Sequence, residues 1–156
     1  MNAAHWHLTL NHVPVVGSAF ALGLLGWAIF RRSEELKRVG FATIVLVAVL
    51  TIPAYLTGEP AFMAAMDVLE ATPANEDPLV EKHESAAGIA FAAAALAGAS
   101  ALAGLIACRG GTPLPFRLSL AVLSLAAATA LLMARTANLG GAIRHPEIAN
   151  EAASEK

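Results

Sequence analysis

The sequence has few charged residues, and this excludes an ordinary soluble domain. Only 14% of its 156 residues are Asp, Glu, Lys or Arg, whereas 57% are hydrophobic. A soluble domain usually carries about 25% charged residues and about 45–50% apolar ones. The charges are also clustered, so long stretches have none. We therefore expect a membrane protein.

Cysteine is almost absent, and so are the common catalytic motifs. Cys108 is the only cysteine, which excludes an internal disulfide and any Cys-x-x-Cys metal or redox motif. The sequence contains no nucleotide-binding glycine loop, no His-Glu-x-x-His zinc motif and no Gly-x-Ser-x-Gly nucleophile turn. A basic stretch and cleavage site typical of a signal peptide are also lacking, so the first hydrophobic run is expected to stay in the mature protein.

Four hydrophobic runs define the predicted fold. A helix needs about 20 mostly apolar residues to cross a bilayer core of roughly 30 Å. The sequence therefore predicts an all-α membrane protein, a four-transmembrane-helix bundle that forms a single domain over residues 1–156. The predicted spans are residues 13–30, 39–56, 86–108 and 118–139.

Two shorter features are expected at the outer ends of these helices. The segment Pro60–Glu70 combines apolar residues with the acidic Asp67 and Glu70, which is typical of an amphipathic surface helix. Its larger apolar side chains are Phe62, Met63, Met66, Val68 and Leu69. We expect it to cover the mouth of the bundle as a lid, with Phe62, Met63 and Met66 over the histidines. Asn11 is expected to cap the first transmembrane helix.

Lysine and arginine are unevenly distributed between the connections, and this predicts the orientation. Short cytoplasmic loops of membrane proteins accumulate basic residues. The connections after the first and third runs are basic, whereas the remaining connection and the C-terminal tail are mainly acidic. We expect a multi-pass membrane protein with both termini outside the cytoplasm. The basic residues expected inside are Arg31, Arg32, Lys37, Arg38, Arg109 and Arg117.

All five histidines reach the outer side in this topology. His5, His7 and His12 precede or open the first helix, His83 opens the third, and His145 follows the fourth. Imidazole is a common ligand of haem iron, zinc and copper, and helix bundles build cofactor sites from facing helices. Simpler roles for these side chains stay open. His5 and His7 with the intervening tryptophan could be an interfacial anchor, His145 could belong to a tail, and His12 and His83 could be structural hydrogen-bonding groups.

Four short motifs stand in order along the chain: His7-Leu-Thr-Leu-Asn-His12-Val-Pro14, Thr57-Gly58-Glu-Pro-Ala61, His83-Glu-Ser-Ala-Ala-Gly88 and Gly140-Gly141-Ala-Ile. Together they resemble the signature positions of domain-of-unknown-function family 2231, small bacterial membrane proteins with four spans, over nearly the whole chain. Some members of that family are fused to Rieske-type or cytochrome modules, so the resemblance implies a redox setting. It also implies a location in the bacterial inner membrane. The chain departs from the family at Arg144-His145, where an aromatic residue is typical after the glycine pair.

The first functional hypothesis is a membrane electron carrier that binds haem b. His12 and His83 are expected as the axial pair, because both lie at outer helix ends among small or apolar residues. The alanines and glycines of the third and fourth helices are expected to leave room for the macrocycle. Such a protein would pass electrons between an extracytoplasmic redox protein and membrane quinone. Further candidate residues are His7 and His145, as a second pair or as hydrogen-bond partners, and Arg135 and Arg144, as partners of the propionates.

Two alternatives of other classes stay open, and no motif indicates a stand-alone enzyme or a nucleic-acid partner. One is a cofactor-free structural subunit of a membrane complex or homo-oligomer. The other is a non-haem site for a zinc, copper or iron ion. His7 is about 140° around a helix from His12, so it reaches the same centre only if the chain unwinds before the following proline. The candidate metal ligands are His7, His12, His83, His145, Glu84 and Glu59.

Overall fold

The computed structural model describes residues 3–69 and 78–144, and these are helical apart from short connections. Within the described residues, four stretches of helix are long and apolar enough to cross a membrane. The all-α bundle expected from the hydrophobic runs is therefore confirmed, and the architecture is that of a multi-pass membrane protein. The helices are α1 (Ala3–Leu10), α2 (His12–Phe30), α3 (Glu34–Leu56), α4 (Gly58–Leu69), α5 (Pro78–Ala107) and α6 (Phe116–Arg144).

Two prolines divide what would otherwise be longer helices. The turns at Asn11, between α1 and α2, and at Thr57, between α3 and α4, each stand three residues before a proline. A proline has no N–H to bond the carbonyl four residues earlier. For Pro14 that carbonyl belongs to the last residue of α1, and for Pro60 it belongs to the last residue of α3. The expected cap at Asn11 is wrong, because this residue has helical φ and ψ of −64° and −25° and its side chain makes no capping hydrogen bond.

Small residues bring the long helices into close contact. A methyl group added at Gly98 of α5 would lie 2.5 Å from the Ala48 side chain of α3, and one at Gly104 would lie 2.9 Å from the ring of Phe41. Close approach of this kind is the main source of helix association in lipid. The cavity left at the bundle centre is about 10 Å³, room for a single water. The expected interior slot for a macrocycle is therefore absent there, because the small residues close the helix contacts.

One end of the bundle, which we call the loop end, contains the connections 31–33 and 108–115. Lys37 is buried there, where its ammonium pairs with Glu34 and donates to the Leu114 carbonyl at 3.1 Å. The Glu34 carboxylate accepts from the Leu114 N–H at 2.9 Å, and the Arg38 guanidinium donates to two further carbonyls of the same connection. These bonds fasten the α5–α6 connection to the first turn of α3.

The opposite end, which we call the histidine end, carries α1, α4, the start of α5 and the end of α6. The amphipathic helix expected at Pro60–Glu70 is present as α4, and it packs against α1. Ala61, in the first part of α4, is buried. Met63 is 58% exposed, so the expected packing of Met63 over the histidines is wrong. The side chain of Met66 lies outside the described residues.

Candidate functional site

His7 projects from α1 toward the end of α3. Its Nδ1 lies 3.2 Å from the Ala54 carbonyl oxygen and 3.2 Å from Thr57 Oγ1. The Thr57 hydroxyl donates its own proton to the Pro53 carbonyl at 2.8 Å, so it accepts from the imidazole. Because a carbonyl oxygen can only accept, Nδ1 carries the proton. The unprotonated lone pair of the neutral ring is therefore on Nε2.

His83 repeats this arrangement in the second half of the bundle. From the second turn of α5 its Nδ1 donates to the Thr136 carbonyl of α6, at 3.0 Å. The ring packs directly against Gly140, where an added methyl group would lie 3.1 Å from Cε1. At His7 the corresponding glycine is Gly58, with 3.6 Å to Cε1. Each imidazole thus donates to a carbonyl near the end of a long helix that follows it in the chain. Each ring also faces a glycine.

Both imidazoles lie at the histidine end, His7 against the end of α3 and His83 against α6. Both rings are half-buried. A metal-ligating histidine typically donates one ring N–H to a backbone carbonyl, which orients the ring and makes the other nitrogen more basic. His7 and His83 both have this arrangement, so each presents Nε2 as an acceptor or ligand.

Asn11 adds a third unused acceptor beside His7. The two residues are four apart on consecutive helical turns, so their side chains lie on one face, and the Asn11 N–H donates to the His7 carbonyl at 2.8 Å. The Asn11 Oδ1 atom is buried and has no hydrogen-bond partner among the described residues. An unpaired buried carbonyl oxygen costs about 1–3 kcal/mol. The position therefore favours a hydrogen-bond donor or a cation beside this oxygen.

His12, expected as an axial ligand, is placed differently. It is exposed, and its Nδ1 lies 3.1 Å from the Leu8 carbonyl of the preceding turn. No contact in the described part of the chain brings it to His83. The histidine of this region that contacts a long helix is His7, because the turn at Asn11 lets α1 lean toward the end of α3. The position of the two prolines was the signal in the sequence that could have indicated this.

The remaining candidates fall away from the two imidazoles or outside the described residues. Glu59 and Glu84 are exposed, and Arg135 is exposed in a crevice between α5 and α6 that neither histidine lines. His145 lies outside the described residues, as does the side chain of Arg144, the last residue of α6. Across residues 3–69 and 78–144, no group of three or more His, Cys, Asp or Glu side chains could share a metal ion.

The site is thus a pair of oriented imidazoles with one amide oxygen, at the end of a bundle that could span a membrane. Acceptors of this kind are suited to a metal ion or to a ligand that carries hydrogen-bond donors. No protein-family model, curated protein or solved structure matches this sequence. Its chemistry is therefore inferred from its own residues.

Proposed function

We propose that this protein is a membrane electron-transfer protein that binds haem b through His7 and His83 at the histidine end. The observation that carries the proposal is the pair of Nδ1–carbonyl hydrogen bonds on two imidazoles at the same end of the bundle, which leaves two Nε2 atoms that could hold iron. Haem b with two imidazole ligands needs two such nitrogens. A structural zinc ion usually needs four ligands.

The bundle centre has no room for haem, because its cavity of about 10 Å³ admits one water. The residues that could hold haem lie at the histidine end. His7 and His83 would hold the iron, while the Ala54 and Thr136 carbonyls keep each ring in place. When bound, haem supplies reversible one-electron transfer. The protein contributes the ligand orientation and the surrounding apolar helices.

The cellular setting is part of the proposal. The basic residues of the loop end favour a cytoplasmic location for that end, which would place the imidazoles on the extracytoplasmic side of a bacterial inner membrane. Electrons would then pass between an extracytoplasmic redox protein and membrane quinone, with this chain as a subunit or partner of a respiratory complex. The resemblance of the histidine and glycine motifs to family 2231 supports a redox setting.

A second candidate is a non-haem ion site for zinc, copper or iron, and one observation favours it. The buried Asn11 Oδ1 has no partner among the described residues and lies on the same helical face as His7. Two imidazole nitrogens and one amide oxygen would form a three-ligand centre with an open position, which is typical of reactive metal sites.

The optical spectrum of the full-length protein, purified in detergent after expression with added haem precursor, tests both candidates. A Soret band at one haem per chain is expected, with its loss in His7→Ala and in His83→Ala. His12→Ala is the matched control and should retain the band. His12 is exposed, and its Nδ1 lies against a carbonyl of the preceding helical turn. If the protein is colourless, carries one metal ion per chain and loses this ion in Asn11→Ala, the result would support the ion site instead of haem. A band that survives both His7→Ala and His83→Ala would refute the proposed ligands.

A further inference from the structure

A charged crevice lies between α5 and α6 at the histidine end. It has a volume of about 280 Å³ and is open at the bundle surface. Neither of its two cations, Lys82 and Arg135, has an ion-pair partner in the described part of the chain. The crevice is lined by Glu81, Lys82, Ser85, Ala86, Ile89 and Arg135.

The depth of Arg135 indicates which layer of a membrane the crevice meets. Arg135 lies about 28 Å along the α6 axis from Phe116, the first residue of that helix. A bilayer hydrocarbon core is about 30 Å thick. Arg135 is the one charged residue between Arg117 and Arg144, so its guanidinium falls where hydrocarbon gives way to headgroups. A charge at this depth is costly unless a partner neutralises it.

The charges and donors of the crevice suit an anion of phosphate type. Two cations face a single carboxylate, Glu81, so one positive charge is left uncompensated. The Arg135 guanidinium matches a phosphate oxygen pair in a forked geometry, and the Lys82 ammonium adds a second charge-assisted donor. Ser85 adds a hydroxyl. A phosphodiester with one negative charge would neutralise the crevice.

Apolar side chains continue from the crevice toward the loop end. Ile89 is 52% exposed and belongs to the crevice wall. Leu131 is 73% exposed and lies one helical turn from Arg135 on the same face of α6. A free phosphate would make no use of these side chains, whereas the acyl chain of a lipid would cover them.

We propose that this crevice is a binding site for an anionic glycerophospholipid. The phosphate is held by Arg135 and Lys82, and an acyl chain runs along Ile89 and Leu131. The site is separate from the imidazole pair, because neither histidine lines it, and it does not depend on the proposed haem. Its residues belong to α5 and α6 alone, so a bound lipid would link the outer ends of these two helices.

Native mass spectrometry of the full-length protein tests the site with three probes: phosphatidylglycerol, phosphatidylcholine and inorganic phosphate. Phosphatidylglycerol should be retained in preference to phosphatidylcholine, and Arg135→Gln should weaken its binding about tenfold. Arg117→Gln is the matched control, because it removes the same charge from an exposed position at the other end of α6. It should leave binding unchanged. Lys82→Gln should weaken binding less than Arg135→Gln, since it removes a single donor group.

Four outcomes would overturn the lipid site. The first is equal retention of the two lipids, and the second is equal loss in Arg135→Gln and Arg117→Gln. In the third, inorganic phosphate binds as tightly as phosphatidylglycerol, and Leu131→Ser changes the binding of neither. That result would assign the crevice to free phosphate. Lipid binding that persists while Arg135→Gln lowers only haem retention would assign the guanidinium to the haem propionates instead.

Discussion

The two ends of this bundle differ in how their polar groups are used. At the loop end, Glu34, Lys37 and Arg38 all bond to the α5–α6 connection. At the histidine end, Asn11 Oδ1 and the two cations of the α5–α6 crevice lack partners among the described residues, and both imidazoles leave Nε2 unused. Polar groups whose hydrogen bonds are made within the protein stabilise the fold. Polar groups that can still accept or donate a hydrogen bond are available for a ligand. The two ends are therefore expected to respond differently to substitution.

The first prediction concerns which side of the membrane each end faces, and its effect is all or none. In a Cys108→Ala background, Glu35→Cys at the loop end should resist a membrane-impermeant maleimide in intact cells, whereas Glu59→Cys on α4 should react. Both positions are exposed, so the membrane alone decides the difference. Reaction of position 35 with protection of position 59 would invert the orientation.

The largest stability loss is expected at the buried lysine of the loop end. Glu34→Ala leaves the Lys37 ammonium, 7% exposed, without its counter-ion and removes the acceptor of the Leu114 N–H. Because Glu34 itself is half-exposed, we expect a loss of about 2–3 kcal/mol in the free energy of unfolding, at the low end for a broken buried ion pair. Unfolding by SDS in mixed micelles measures it. The adjacent exposed residue supplies the control, since Glu35→Ala should change stability by less than about 0.5 kcal/mol.

A smaller loss is expected from the guanidinium of the same end. Arg38 donates to the Cys108 and Thr112 carbonyls, at 2.7 and 2.6 Å, and Arg38→Gln is too short to reach them. The expected loss is about 1–2 kcal/mol by the same SDS titration. Arg109→Gln removes an exposed charge of the same connection and should be neutral. An equal loss in both variants would mean that net charge, and not the two hydrogen bonds, stabilises the loop end. Neither variant should change the haem or metal content of the folded protein.

The smallest effect is expected at the histidine end, where a methyl group would displace a ring without unfolding the chain. Gly140→Ala places Cβ 3.1 Å from His83 Cε1, whereas Gly141→Ala meets no atom within 4 Å. Both substitutions raise helix propensity by about 1 kcal/mol, so neither should destabilise α6 greatly. Only Gly140→Ala should weaken cofactor retention, by about threefold, as measured by competition with apomyoglobin or a chelator. Equal retention in the two variants would show that the His83 ring position does not matter.

Several features of the fold could be predicted because bilayer thickness constrains them directly. The length of each apolar run predicts the four long helices, and the alternation of their directions brings His7 and His83 to one end. The hydrophobic runs did not predict the polar first turns of α5, because this helix begins at Pro78 and not at Ala86. Hydropathy detects the part of a helix that meets lipid, and the segment 78–85 is helical but polar. The amphipathic α4 was found because its apolar residues follow the helical period.

The number of long helices, the end of the bundle that carries the described histidines and the lack of an internal disulfide can be read from the sequence. These properties follow from the length of the apolar runs, from the alternating direction of successive helices and from composition, each of which can be summed along the chain. Which imidazole contacts α3 depends on the tertiary structure. The turn before Pro14 directs α1 toward α3, and His7 finds the Ala54 carbonyl there while His12 stays exposed. Likewise, alanine and glycine content could not distinguish an open slot from tight contact, because the distance between Gly98 and Ala48 depends on how two helices cross.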